Sequence, residues 1–356
     1  MKLKLKNTPE QVELVKAMGS RDVTVAREAT EAFAAFIGPV VSKVLMQAGT
    51  ASAIYSDAPY DEDDNPSLPL DLWHDQGGQD YVTVWSQNVA GGLPSSAVEG
   101  FSELKVSTYR LDAAVSFLKR YARRGRIDVV SKAVERMSNE VLVKQERNAW
   151  AVVLKALAEA KSRGSATPNH LVTAAAPGGF NLGDLNTLMT LVKRINTSYA
   201  GGTTSDSYGL TDLFVSPEVK AAIRAFAYNP IGGSTVTDLP AGVREEIYRG
   251  AGTESLYGVT IHELVELGVN AKYNALFNAF KGSYSFNSNS NDLAIGLDLS
   301  KEAFIRPIAR NADSGSTFSV LPDDQFAGRS EKTGFYGSLE EGRVCIDARA
   351  IVGIKI

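Results

Sequence analysis

The residues best suited to chemistry are few and do not gather into a pattern. His262-Glu263-Leu264-Val265-Glu266 opens like the helix of a zinc protease, where two histidines four residues apart hold the metal. Here the second position is Glu266, and residues 259–267 read as a strand, so the two side chains would not share a helix face. Asp61, Asp63 and Asn65 alternate as in a calcium loop. That loop needs glycine at its sixth position and a bidentate glutamate at its twelfth, and this chain has Pro66 and Leu72 there. The stretch reads instead as a solvated acidic loop. No nucleophile elbow, Walker loop or dinucleotide-binding glycine turn occurs in the sequence. His74, His170 and His262 fall in unrelated surroundings, and a triad among them would be assembled only by the fold. The single cysteine, Cys345, alternates within an apolar stretch and reads as an inert thiol; one cysteine also excludes an internal disulfide. No catalytic residue, metal or cofactor is therefore expected.

One charged cluster does stand out. Residues 118–128, LKRYARRGRID, carry Lys119, Arg120, Arg123, Arg124 and Arg126, with Tyr121 among them. Arginines hold phosphates and a tyrosine stacks on a base, so nucleic-acid contact is one use. Salt bridges to a neighbouring subunit are an equally physical one, since the chain also has an acidic loop at 57–75.

The elements that must position these groups follow from the hydrophobic pattern. The chain has 356 residues and a net charge of −4, enough for about two domains. The mild negative charge argues against general nucleic-acid binding while leaving room for a local basic patch. MKLKLKNTPEQ is basic but lacks the apolar region of a secretory signal, and no run approaches the length of a membrane span. Thr8-Pro9-Glu10-Gln11 predicts a capped helix start, with a helix over 8–19. A second helix over 22–47 carries a stripe of Phe33, Phe36, Ile37, Val40, Val41, Val44 and Leu45, and Gly38-Pro39 should kink or split it. Residues 55–80 read as a long surface connection. Two extended arms, 81–89 and 103–118, meet at a glycine-rich tip, AGGLPSSAVEG. A lone pair of strands is marginal in water.

From Ile127 to about Arg163 there is neither proline nor glycine, and Val130, Val134, Met137 and Val141 fall on one face. At about 1.5 Å per residue that is a rod of about 50 Å. Residues 164–183 read as a loop. Helices over 185–195 and 217–227 and strands over 211–215, 259–267, 293–297 and 304–309 complete a mixed region, with 229–242 a loop. In the last stretch, Val344, Ile346, Ala348, Ala350, Val352, Ile354 and Ile356 share one parity. This predicts a single strand of about 13 residues, ~40 Å long, as the second arm of a hairpin.

The order of these elements resembles the major capsid protein of tailed bacteriophages, the Hong Kong 97-like fold. Three stretches carry the resemblance: Tyr81 to Leu118 as an E-loop, Ile127 to Arg163 as a spine helix, and GFYGSLEEGRVCIDARAIVGIKI as closing strands. TDLFVSPEVKAAIRAF is similar to a strand and helix of the axial A-domain. The resemblance implies an α+β fold with an N-terminal helical arm and acidic loop at 1–80 and an E-loop β-hairpin at 81–118. It implies a P-domain at 119–175 (spine helix 127–163), an A-domain at 176–312 and P-domain closing strands at 313–356. It further implies a non-enzymatic shell protein of the virion, assembled in the host cytoplasm. The partners would be other copies of itself in hexamers and pentamers, double-stranded DNA inside, and scaffolding, portal and cement or decoration proteins, with no membrane. Trp85, Leu93, Val98 and Phe101 of the E-loop would lie on a neighbouring subunit. Lys105 is the only lysine well within that arm, and no covalent crosslink or built-in scaffold is expected. An encapsulin-like compartment shell, and an α+β enzyme using His170, His262 or Cys345, are the competing readings.

Overall fold

The computed structural model describes residues 8–47, 49–61, 64–69, 103–162, 165–176, 178–200, 209–225, 255–300, 302–311, 317–323 and 331–356. In chain order the elements begin with α1 (Pro9–Met18), α2 (Val23–Gln47), β1 (Ser56–Asp61), β2 (Ser67–Pro69), β3 (Glu103–Lys105) and β4 (Tyr109–Leu118). There follow α3 (Lys119–Arg123), α4 (Ile127–Glu159), β5 (Leu171–Thr173), α5 (Leu182–Ala200), β6 (Asp212–Val215) and α6 (Pro217–Ala225). The remainder are β7 (Ser255–Leu256), β8 (Val259–Glu263), α7 (Lys272–Phe280), β9 (Leu293–Leu297), β10 (Phe304–Arg310), β11 (Ser319–Pro322), β12 (Lys332–Glu341), β13 (Val344–Cys345) and β14 (Ile351–Lys355). The chain divides into two compact units, the first built from residues 1–67, 105–149 and 305–344, the second from 68–104, 150–304 and 345–356.

The first unit is organised on β12. Its ten residues pair antiparallel with all of β4, from Tyr109 opposite Glu341 to Leu118 opposite Lys332. β11 lies antiparallel along it, β10 meets it at Ile308 opposite Glu341, and β1 runs parallel to β10. Alternation along β4 decides which face is covered. Leu111, Ala113, Val115 and Phe117 turn toward the apolar cluster, whereas Arg110, Asp112, Ala114 and Ser116 are exposed. On that solvated face the Tyr336 hydroxyl and the Arg110 guanidinium both donate to Asp112.

Helical stripes from α4 and α2 cover the other face, joined by Val15 and Met18 of α1. Ile127, Val130, Val134, Met137 and Val141 of α4 are all buried, at the spacing the sequence predicts. From α2 come Phe33, Ala34, Ile37 and Val41, with the Phe33 ring 5.4 Å from Phe335 of β12. Phe36 and Val40, expected on the same stripe, are 49% and 43% exposed. Pro39 does not split α2, which runs unbroken past it. Thr8 occupies the N-cap of α1 without a side-chain hydrogen bond, so the capping box does not form, although Pro9 takes the first helical position.

In the second unit the sheet order is β5-β14-β9-β6-β8-β7. Every residue of β9 is buried, as are Ile351 to Ile354 of β14, because both strands are internal and covered on both faces. Gly353 is needed there: a Cβ would come within 2.8 Å of a Leu157 methyl at the end of α4. Trp150 of the same helix segment packs edge-on against Phe214 and beside Tyr273. β7 and β8 form a hairpin through Tyr257 and Gly258, both at positive φ.

Several expectations are corrected. The last 13 residues are not one strand: Asp347 accepts the backbone N–H of Arg349 and starts a 3₁₀ turn at Ala348–Ala350, which separates β13 from β14. The Arg349 side chain clasps the same carboxylate at 2.6–2.9 Å and fixes the turn. The long strand is β12, ten residues from Lys332 to Glu341. Within the predicted connection 55–80, Ser56–Asp61 is a strand, and within the predicted loop 164–183, Leu171–Thr173 is another. Helix α4 ends at Glu159 rather than near Arg163, the strand over 259–267 stops at Glu263, and α7 is a helix the hydrophobic pattern left unassigned.

Candidate functional site

The basic cluster sits at one end of the β4–β12 ladder, where the chain turns from strand into helix. Lys119 donates its backbone N–H to Glu331 O at 2.7 Å, so α3 begins level with the start of β12. Gly125 closes the turn at φ +63°, and a Cβ there would press on Val12 and on the Lys16 side chain. The arginines then diverge. Arg123 is anchored: its Nε donates to Gly19 O at 2.7 Å and its guanidinium lies 3.9 Å from Glu331. Arg120 folds over the Tyr121 ring at 5.1 Å, which engages the one aromatic available for stacking. Arg124 and Arg126 are exposed, and neither guanidinium has a hydrogen-bond or ion-pair partner among the described residues. Lys119 is half-buried. The cluster is thus partly a clamp between α3 and the end of α1 and partly a free cationic surface.

At the other end of the same ladder is a group of charges that sequence reasoning missed. Glu341 is fully buried at the end of β12. Its carboxylate accepts from the Tyr109 hydroxyl at 2.6 Å, from Gln145 Nε2 at 3.0 Å and from the Arg343 guanidinium at 3.2 Å, with Arg306 at 4.0 Å. Arg306 in turn forks Asp57 at 2.5 and 2.7 Å. Arg343 lies over the Tyr55 ring at 4.7 Å. Two carboxylates and two guanidiniums balance, which is the condition for charges to remain ionised under this burial. Burial, and then the charge of Glu341, push the Tyr109 hydroxyl up to about 12. Two buried atoms of this group, Gln145 Oε1 and one terminal nitrogen of Arg343, have no hydrogen-bond partner among the described residues. The available signal was an arginine in the middle of a strand, Phe304–Arg310, and a Glu-x-Arg at a strand end.

The remaining candidates stay apart. His262 lies on β8, its Nε2 2.7 Å from Asp212 Oδ1 on β6, and its ring stacks on Phe214. No group of three or more metal-ligating side chains forms among the described residues. Within the acidic loop, Asp64 N–H donates to Asp61 O at 2.9 Å. Burial and the charge of Asp347 push the Cys345 thiol up to about 12. His170 is fully buried with Nδ1 2.9 Å from Ile351 O, and burial holds its imidazole below the ordinary value. Trp85, Leu93, Val98 and Phe101 lie outside the described residues. Among the described residues no helix is long and apolar enough to cross a membrane.

No protein-family model matches this chain and no curated protein matches it. Solved structures do. The capsid of an empty GTA particle superposes with a TM-score of 0.52 at 14% identity, over 87% of this chain and 90% of that one. The capsid of cyanophage P-SCSP1u gives 0.52 at 12% identity, over 85% and 86%. A structure of Microbacterium phage Oxtober96 gives 0.51 at 10% identity, over 87% and 91%. The likeness spans nearly the whole of each chain, and the α+β fold is that of phage capsid subunits.

Proposed function

We propose, on the premise of a phage-capsid fold, that this chain is the major building block of an icosahedral head. It assembles as hexamers and pentamers around double-stranded DNA. The observation that carries the reading is the match to the empty GTA capsid over 87% of this chain and 90% of that one. A match confined to one unit would have allowed a shared domain with a separate use.

On this reading residues 81–118 are the E-loop and 119–175 the P-domain with its spine helix. Residues 176–312 are the A-domain, 313–356 the closing strands, and 1–80 the N-terminal arm. Trp85, Leu93, Val98 and Phe101 then find their apolar partners on a neighbouring copy. The β4–β12 ladder suits a subunit of a closed shell: ten paired residues give about 33 Å of continuous antiparallel pairing. Its ends are held by the Arg123 clamp and by the Glu341 charge group. The chain does no chemistry of its own; scaffolding, portal and cement proteins are its further partners, and the virion is where it resides.

Sizing chromatography and negative-stain imaging of the purified full-length chain test this. Rings or closed shells tens of nanometres across are expected, with nuclease-protected DNA inside native particles. A monomer or dimer at assembly concentrations overturns the reading, and shells holding protein cargo without DNA make the chain a compartment instead.

A further inference from the structure

We infer that the basic turn after β4 of one copy seats the acidic turn after β1 of the next, joining subunits head to tail through charge. The inference rests on the shell reading and names a contact within it.

The observation is a pair of exposed, oppositely charged turns at different places in the first unit. Arg124 and Arg126 are exposed and unpartnered among the described residues at the Lys332 end of the ladder, with Lys16 beside them against Gly125. Asp61 and Asp64 are also exposed, and neither has a cationic partner among the described residues. Asp61 is level with Arg310 on β10, and Ile308 is opposite Glu341, so in antiparallel register Asp61 falls level with Leu339. Leu118 is level with Lys332. Leu339 to Lys332 is seven residues of β12, or about 23 Å, and β1 is three strand spacings of about 5 Å each from β4 across the sheet. No ion pair spans that distance, so the two surfaces cannot satisfy one another within a subunit. Between copies they can, and the contact joins different patches of the same chain. Such heterologous contacts close into rings when the rotation permits. Charge at an interface of this kind fixes register and rejects wrong partners.

The alternative occupant of the basic turn is a nucleic-acid backbone. The turn's aromatic, Tyr121, is already covered by Arg120, and Arg123 is spent on Gly19 and Glu331. That leaves Arg124 and Arg126 as the exposed arginines of the turn, a sparse set for a nucleic-acid backbone and one suited to an acidic turn.

The test uses the full-length chain in three versions: Arg124→Glu with Arg126→Glu, Asp61→Lys with Asp64→Lys, and all four together. All four side chains are exposed, so each version should fold, which circular dichroism checks. Each reversal alone is expected to lower the yield of assembled particles by about tenfold or more. The four-fold version should recover to within about threefold of the parent, because the pair is restored with its signs exchanged. Reversals that assemble at parental yield overturn the inference, as does a four-fold version no better than its parts. An arginine reversal that assembles fully but loses its protected DNA assigns the turn to nucleic acid and also overturns it. A parent chain that makes no particles defeats the shell reading itself, which separates the two failures.

Discussion

Replacing Glu341 with glutamine removes one negative charge and almost no volume. The carboxylate it replaces is fully buried and accepts from Tyr109, Gln145 and Arg343, with Arg306 at 4.0 Å. After the change Arg306 and Arg343 share only Asp57, and the new amide turns donors toward donors. Breaking a buried pair by neutralising one partner costs about 3–5 kcal/mol. The built-in control is Asp112→Asn, on the solvated face of the same strand ladder, where Arg110 and Tyr336 both bond to it. An exposed pair of that kind is worth about 0–1 kcal/mol. The measurement is urea unfolding followed by far-UV circular dichroism, at one fixed protein concentration because assembly shifts apparent stability. With an m-value of about 3 kcal/mol/M, Glu341→Gln should lower the midpoint by about 1 M or more, and Asp112→Asn by about 0.3 M or less. Equal shifts for the two would refute the claim that burial makes the Glu341 group structural.

Val134→Asp should leave the chain insoluble, because an unpaired charge under α4 costs at least about 3 kcal/mol; soluble, shell-forming protein would show that this face is not core. Cys345, with its thiol near 12, should react with a thiol reagent at pH 8 about a thousandfold more slowly than a free cysteine; rapid labelling of folded protein would sink that account. His170 is held neutral by burial, so below its ordinary value of 6.5 the unfolded chain binds a proton that the folded chain does not. Stability should therefore be flat above pH 6.5 and decline as pH falls below it, and His170→Asn should lose that dependence; an unchanged slope counts against it. Deleting Val89 to Gly100 should give a folded subunit that forms no shells, checked by sizing chromatography; normal particles would remove the E-loop assignment.

Periodicity settled what local physics can settle. The apolar face of α4 was legible as Val130, Val134, Met137 and Val141, because a helix buries every third or fourth residue whatever lies beneath it. The strand at Leu293–Leu297 and the start of α6 at Pro217 were legible for the same reason: their signals sit within a few residues. The basic cluster was visible as residue types, though not that Arg123 would bond to Gly19 while Arg124 and Arg126 had no partner among the described residues. Other features depended on partners far along the chain. A parity of two ran through the last 13 residues, yet Asp347 and Arg349 clasp each other and break the strand. Glu341 and Arg306 looked like ordinary surface charges until the fold brought Tyr109, Gln145 and Asp57 around them, from as far as 249 residues away. The amino-acid order alone determined which segments had an apolar face to bury. Only the tertiary structure decided which charges would be taken out of water together, because the cost of burying a charge depends on every group that ends up beside it.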